Sequence, residues 1–192
     1  MNKFSVITLA WRLAKPLDER LNAPIYVEEL TEERFRKLGA GAVVLDHDGV
    51  LGPSRSDAPD ETGIKILNGA VKAFGAGKVF VLSNTSSKRE IREQRYENLV
   101  DGVRYIKSEK KPDPAGLGIA SDLCKIDIRK IAVIDDGLLT GILMALSSGA
   151  IPVYAKRKRM SENLFAKTVR LSTTWPQIMC VRFLKRVREV WI

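Results

Sequence analysis

From residue 40 onward, apolar runs alternate with segments of helical pattern. Residues 42–45 (Ala-Val-Val-Leu) are continuously apolar, and a polar turn with Gly49, Gly52 and Pro53 follows. Asp60 or Glu61 is placed to cap a helix whose apolar face takes Ile64, Leu67, Val71 and Phe74 and which stops at Gly75 and Gly77. The run 78–82 is a second buried strand, and Ser86 or Ser87 starts a highly charged helix reaching about residue 98. The pattern then predicts a strand over 103–106, a helix over 113–124, a strand over 131–134, a helix over 138–147 and a last strand over 151–154. Apolar strands separated by helices imply a parallel sheet covered on both faces. In such open sheets ligands bind beyond the carboxyl ends of the strands, so the polar residues directly after each strand carry the candidate chemistry.

Composition adds boundaries to this picture. A chain of 192 residues with 45% hydrophobic content fits one compact domain with short terminal additions. The expected division is an N-terminal helical extension over 1–37, a core over 38–155 and a basic amphipathic tail over 156–192. Residues 4–14 read as a helix that packs on the domain or touches a membrane, without a convincing small-residue cleavage site. Cys124 and Cys180 match neither a metal spacing nor a disulfide framework, which points to a reducing compartment, the cytoplasm or its organelle equivalent. His47 is the single histidine, so a histidine-rich metal site and a Ser-His-Asp triad elsewhere are excluded. No run approaches the roughly 20 apolar residues that a spanning helix needs.

Charge changes the picture more. Of the net +9, residues 156–192 hold ten Lys or Arg against two Glu, whereas the rest of the chain is nearly balanced, 22 basic against 21 acidic. A cationic tail on a neutral body suggests an anionic partner surface, a membrane or a nucleic acid.

The strand ends supply the chemistry. Asp46 and Asp48 follow the first strand with one residue between them, and near-extended backbone directs both carboxylates to one side. One can attack phosphorus while the other handles the protons of the leaving group and the incoming water. Ser83 and Asn84 end the second strand and offer donors for phosphate oxygens. Lys110 and Lys111, before Pro112, can bring an ammonium to a phosphoryl group, and Asp135 and Asp136 end a later strand with hard oxygen ligands that suit Mg²⁺.

These four signals, in this order and each after a strand, resemble the haloacid dehalogenase superfamily of phosphatases across about residues 38–155. The resemblance implies a three-layer Rossmann-like α/β fold with a parallel sheet. It implies Asp46 as the nucleophile and Asp48 as the acid/base, with the Asp48 carbonyl on the metal. It further implies Ser83 as a phosphate-binding hydroxyl, Lys111 as the stabilising lysine, and Asp136 as a Mg²⁺ ligand that Asp135 supports or replaces. Residues 41–46, 82–85, 110–112 and 139–145 are similar to the bacterial and mitochondrial phosphatidylglycerophosphate phosphatases, whose substrate is a phosphorylated lipid. Three positions depart from that family. Gly49 stands where Asn is usual, His47 where Lys or Leu is commoner, and Gly141 where a second Asp is normal.

Spacing adds a point independent of resemblance. The 36 residues between Asp46 and Ser83, and the 27 between Ser83 and Lys111, are each consumed by one helix and one strand with their loops, which leaves no room for a cap domain. An open site favours a substrate that brings its own bulk, such as a membrane lipid, a nucleic acid or a phosphoprotein. On a helical tail, Cys180, Phe183, Leu184, Val187 and Trp191 share one face, with Arg186 and Arg188 at its flanks, a stripe that suits an interfacial anchor and equally suits packing inward on the domain. The cluster 156–159 would add attraction to an anionic bilayer. The expected function is therefore a Mg²⁺-dependent lipid phosphatase peripheral to a membrane. The alternatives are a phosphatase for nucleic acid or phosphoprotein, and an inactive membrane-bound module for which Gly141 is the sole support.

Overall fold

The computed structural model describes residues 3–85, 88–108, 110–158 and 164–191. Six strands form one sheet: β1 (Ile25–Tyr26), β2 (Ala42–Leu45), β3 (Val79–Val81), β4 (Val103–Tyr105), β5 (Ile131–Asp135) and β6 (Ile151–Lys156). They are all parallel, in the order β1-β6-β5-β2-β3-β4. The architecture is a three-layer Rossmann-like α/β fold.

Alternation along the strands sorts side chains between the two faces. Val43 and Leu45, Val79 and Val81, and Ala132 and Ile134 join one core with Phe35 of α3 (Glu32–Arg36), Ile66, Leu67, Ala70 and Phe74 of α4 (Glu61–Phe74) and Tyr96 of α5 (Arg89–Leu99). Val44, Phe80 and Val133 face the opposite core, with Leu117 and Ala120 of α6 (Ala115–Cys124) and Met144 and Ala145 of α7 (Leu143–Ser148). Both faces are dry, which is why these strands read as continuous apolar runs rather than alternating ones.

The caps of α4 match the sequence. The Asp60 side chain accepts the Gly63 amide at 2.8 Å, and Gly75, at φ +90°, ends the helix. Two expected elements differ in detail. The helix expected over 138–147 opens as a π-helical turn, Leu138–Ile142, before α7. Ser86 and Ser87, expected to start α5, lie outside the described residues, and its N-cap is Lys88.

A third core joins the two chain ends. Helices α1 (Lys3–Arg12), α2 (Ala14–Asn22) and α8 (Leu164–Trp191) bury Ala10, Ala14, Leu17, Val181 and Leu184 against Leu138, Ile142 and Tyr154. The segment 1–37 also supplies β1, whose Ile25 pairs with Ala155 across the sheet edge. The inward face of α8 differs from the expected one. Val181 and Leu184 are buried, whereas Phe183 is 65% exposed, so the helix is rotated relative to the Cys180–Phe183–Leu184 stripe. The Trp191 side chain lies outside the described residues.

The basic cluster over 156–158 is partly engaged by the protein itself. Arg157 is nearly buried, pairs with Asp60 and donates to the Val50 carbonyl at 2.6 Å. Lys158 pairs with Glu29 at 2.9 Å and lies over the Tyr26 ring, and the Lys156 amine lies over Tyr154. Arg159 is outside the described residues.

Candidate active site

Strand order reverses direction between β2 and β5. The chain runs β2-β3-β4 to one side and returns to β5-β6 on the other, and ligands bind at such switch points. Asp46 leaves the carboxyl end of β2, its amide still bonded to the Ile134 carbonyl at 2.9 Å, while Asp135 ends β5 beside it. A cleft of about 270 Å³ opens there, lined by Asp46, Asp48, Asn84, Lys111, Asp135 and Asp136, and completed by Ser54, Gly137, Thr140 and Gln177.

Lys111 ties the centre together. Its Nζ donates to Asp46 Oδ1 at 2.6 Å, to Asp135 Oδ2 at 2.5 Å and to the Leu82 carbonyl at 3.0 Å. Burial opposes its charge, but the two carboxylates outweigh that and raise its pKa. Burial drives the Asp46 carboxyl well above its usual range; Lys111 opposes this, and Asp135, Asp48 and Asp136 reinforce it. Asp46, Asp135 and Asp136 each offer an oxygen, all within 4.8 Å of one another. Clustered hard oxygen donors fit a divalent cation such as Mg²⁺, which would relieve the crowding that raises Asp46.

Asp48 stands apart from that trio. Its carboxylate accepts from both terminal nitrogens of Arg92, at 3.0 and 3.1 Å, from Ser83 Oγ and Thr85 Oγ1 at 3.0 Å each, and from the Arg55 amide at 2.7 Å. Burial works against its charge, yet Arg92 prevails and holds the carboxyl below the usual carboxylate range. Arg92 is itself fully buried, and it also donates to Ser83 Oγ at 2.7 Å and to the Ser56 carbonyl through Nε and Nη2. Between the two acids, His47 points elsewhere, its ring nitrogens 2.6 Å from the Tyr96 hydroxyl and 2.9 Å from Ser56 Oγ. Burial, followed by the charge of Arg92, lowers His47 to about 4, so the ring is neutral at pH 7.

The structure brings Asp46, Asp48, Ser83, Asn84, Lys111, Asp135 and Asp136 together at the strand ends. Asn84 does something other than display donors. Its Oδ1 accepts the Lys111 amide at 2.7 Å and its Nδ2 donates to the Lys111 carbonyl at 3.3 Å, which clamps the lysine's loop. Lys110 is exposed and does not line the cleft.

Two of the three unusual positions have a physical reason. Gly49 has φ +85°, and a β-carbon there would lie 2.1 Å from Asp136 Oδ2. A β-carbon at Gly141 would lie 2.0 Å from Asp135 Oδ2. The Asp135 carboxylate therefore fills the space that a side chain at 141 would occupy. Asp135 is also held by Lys111 and by the Gly137 amide at 2.7 Å, so it cannot move aside cheaply. Gly141→Ala is accordingly expected to destabilise the protein by about 1–3 kcal/mol in urea unfolding and to lower phosphate release. Unchanged stability and activity would show that Asp135 has room to move.

Sequence reasoning missed Arg92, Thr85 and Gln177. Arg92 sits in a helix whose other charges face water, and nothing in its neighbours marks it as buried. Gln177 lies in the tail, where its Oε1 accepts the Leu139 amide at 2.9 Å and thereby anchors the π-helical turn at the cleft edge. Thr85 follows Ser83 and Asn84 directly, and a run of hydroxyl and amide side chains after a strand was the available signal.

No curated protein matches the chain. A crystal structure of an uncharacterized protein from Corynebacterium glutamicum aligns with a TM-score of 0.45 and 24% identity, covering 71% of this chain and 96% of that one. The family model described as mitochondrial PGP phosphatase matches residues 18–158, which takes in every strand and every cleft residue except Gln177. The chain belongs to the mitochondrial PGP phosphatase family and is a phosphatase.

Proposed function

We propose that this phosphatase removes the terminal phosphate of phosphatidylglycerophosphate through an aspartyl-phosphate on Asp46, with Mg²⁺ as cofactor, peripherally at a membrane in a reducing compartment. The observation that carries this reading is the Asp46 carboxylate itself. It is buried at the switch point, bonded to Lys111 and crowded by two further acids. An acid kept there at such electrostatic cost is explained by chemistry rather than by stability.

In the proposed first half-reaction an Asp46 oxygen attacks phosphorus and the bond to the lipid alcohol breaks, with Asp48 supplying the alcohol's proton. In the second half-reaction water attacks the same phosphorus, and Asp48 accepts the water's proton as phosphate leaves. Arg92 holds Asp48 ionised in the free protein, so the proton that Asp48 passes to the alcohol arrives with the substrate's phosphate as its monoanion, and Asp48 is then left ready to accept the water's proton. Lys111 neutralises part of the charge gathered around Asp46, and Ser83, just after β3, would turn its hydroxyl from Asp48 to a phosphate oxygen. Mg²⁺, held by Asp46, Asp135 and Asp136 with the Asp48 carbonyl, would offset the repulsion between phosphate and carboxylates.

The size of the cleft supports a substrate that stays mostly outside. About 270 Å³ lies below the roughly 300–1,000 Å³ of pockets that enclose a whole small molecule. Residues 46–60 form turns, bends and the short Asp48–Gly52 bridge, so no domain is inserted over the strand ends by this segment. A phosphorylated head group can enter while its acyl chains remain in a bilayer. No helix among the described residues is long and apolar enough to cross a membrane.

The test is phosphate release from phosphatidylglycerophosphate in mixed micelles. Release is expected with Mg²⁺, to be lost on chelation with EDTA and to return when Mg²⁺ is restored. Absence of Mg²⁺-dependent release would overturn the proposal.

A further inference from the structure

Helix α8 has two sides with different work. Its inward side carries Val181 and Leu184 into the core that joins the chain ends, and Gln177 into the cleft. Its opposite side carries Trp175, Met179 and Phe183, at i, i+4 and i+8, and these are 64%, 47% and 65% exposed. Arg182 and Arg186 emerge in the same outward sector, both exposed, and Lys185 at its margin pairs with Asp18 at 2.7 Å. Large apolar side chains interleaved with exposed arginines thus stand together on the outward face of the described part of this helix.

We propose that this outward face of α8, built on Trp175, Met179, Phe183, Arg182 and Arg186, is the surface on which the protein docks to an anionic lipid bilayer. The inference rests on the lipid substrate argued under Proposed function and names the face that meets the lipid. Charge complementarity selects the occupant, because the two arginines stand beside the apolar row where phosphate head groups would lie. Geometry links the face to the reaction. A helix with its side chains is about 10–12 Å across, and Gln177, on the far side from Trp175, lines the cleft. A helix lying in the head-group layer, its apolar side sunk by about 5–10 Å, would therefore put the cleft about one helix diameter from the acyl boundary. That is the level at which a lipid's terminal phosphate projects. Arg157 is buried and Lys158 is paired, so among the described residues the 156–158 cluster offers less free positive charge than this face.

The test uses the full chain with two kinds of vesicle, phosphatidylcholine alone and phosphatidylcholine with about one-third phosphatidylglycerol. Wild type is expected to float with the anionic vesicles and not with the neutral ones. The triple variant Trp175→Ser, Met179→Ser, Phe183→Ser and the double variant Arg182→Glu, Arg186→Glu should each bind at least about tenfold less. Both should hydrolyse a soluble aryl phosphate within about twofold of wild type, because none of these side chains lines the cleft. Their release of phosphate from vesicle-borne lipid should fall in step with binding. Equal flotation of the variants and wild type would overturn the proposal. So would a triple variant that changes only its oligomeric state, which would assign the face to a second copy of the chain. Absence of soluble phosphatase activity in wild type with flotation intact would instead sink the catalytic reading and leave the docking face standing.

Discussion

Asp46→Asn is expected to abolish phosphate release while leaving the fold intact. The carboxylate oxygen that would attack phosphorus is lost, and an amide cannot replace it as nucleophile. Loss of a covalent nucleophile in enzymes of this kind removes roughly 10⁴-fold or more of kcat. The packing cost is small by comparison. Asn is nearly isosteric, and Lys111 keeps Asp135 at 2.5 Å and the Leu82 carbonyl as partners. Burial works against the charge of Asp46, so a neutral side chain there also removes a desolvation penalty. The discriminating measurement is acid-quenched single turnover with labelled substrate. Wild type should hold a hydroxylamine-sensitive phosphoryl group and the variant none. A variant that still turns over at a tenth of the wild-type rate would assign the attack to another group.

Arg92→Met carries the second largest expected effect, and it falls on stability as well as activity. The guanidinium is fully buried and satisfies Asp48, Ser83 and the Ser56 carbonyl at once. Removing one partner of a buried ion pair leaves the other uncompensated, which costs about 3–5 kcal/mol. For a domain of this size that corresponds to a drop in Tm of about 6–20 °C. Arg92→Lys keeps the charge but not the planar fork, so it should fall between the two. Thermal and urea unfolding of the three proteins would decide the matter. Equal Tm values for wild type and Arg92→Met would mean that the pair contributes nothing.

What the sequence made legible, and what it hid, follows from how local each signal is. Strands β2 and β5 could be read because both faces are dry, which makes four successive residues apolar in each. The ends of α4 could be read because capping is decided by Asp60 and Gly75 themselves. The acids and Lys111 could be placed because a switch point gathers whatever follows the strands. Strand β1 could not, since two residues carry no pattern and their pairing depends on Ala155 and Lys156, far along the chain. The rotation of α8 was ambiguous for a related reason. Apolar residues lie on both its sides, and only docking against α1 and α2 decides that Val181 rather than Phe183 goes inside. Arg92 was hidden because a buried arginine in a charged helix looks like its solvated neighbours until its three partners are assembled.

The meeting of the two chain ends has a consequence for synthesis. Ile25 is made early, but its partner Ala155 emerges 130 residues later, and Asp18 waits longer still for Lys185. Closing so long a loop costs entropy before any contact rewards it, and contacts this distant in sequence slow folding. A ribosome that has released β2, β3 and β4 has therefore already exposed α1 and α2 without the helix that covers them. The cleft lacks its Gln177 wall, and the turn at Leu138 its anchor, until residue 177 has emerged. Throughout that interval the apolar faces of α1 and α2 stay open to a chaperone or a lipid surface, and the cleft is finished only once residue 177 has emerged.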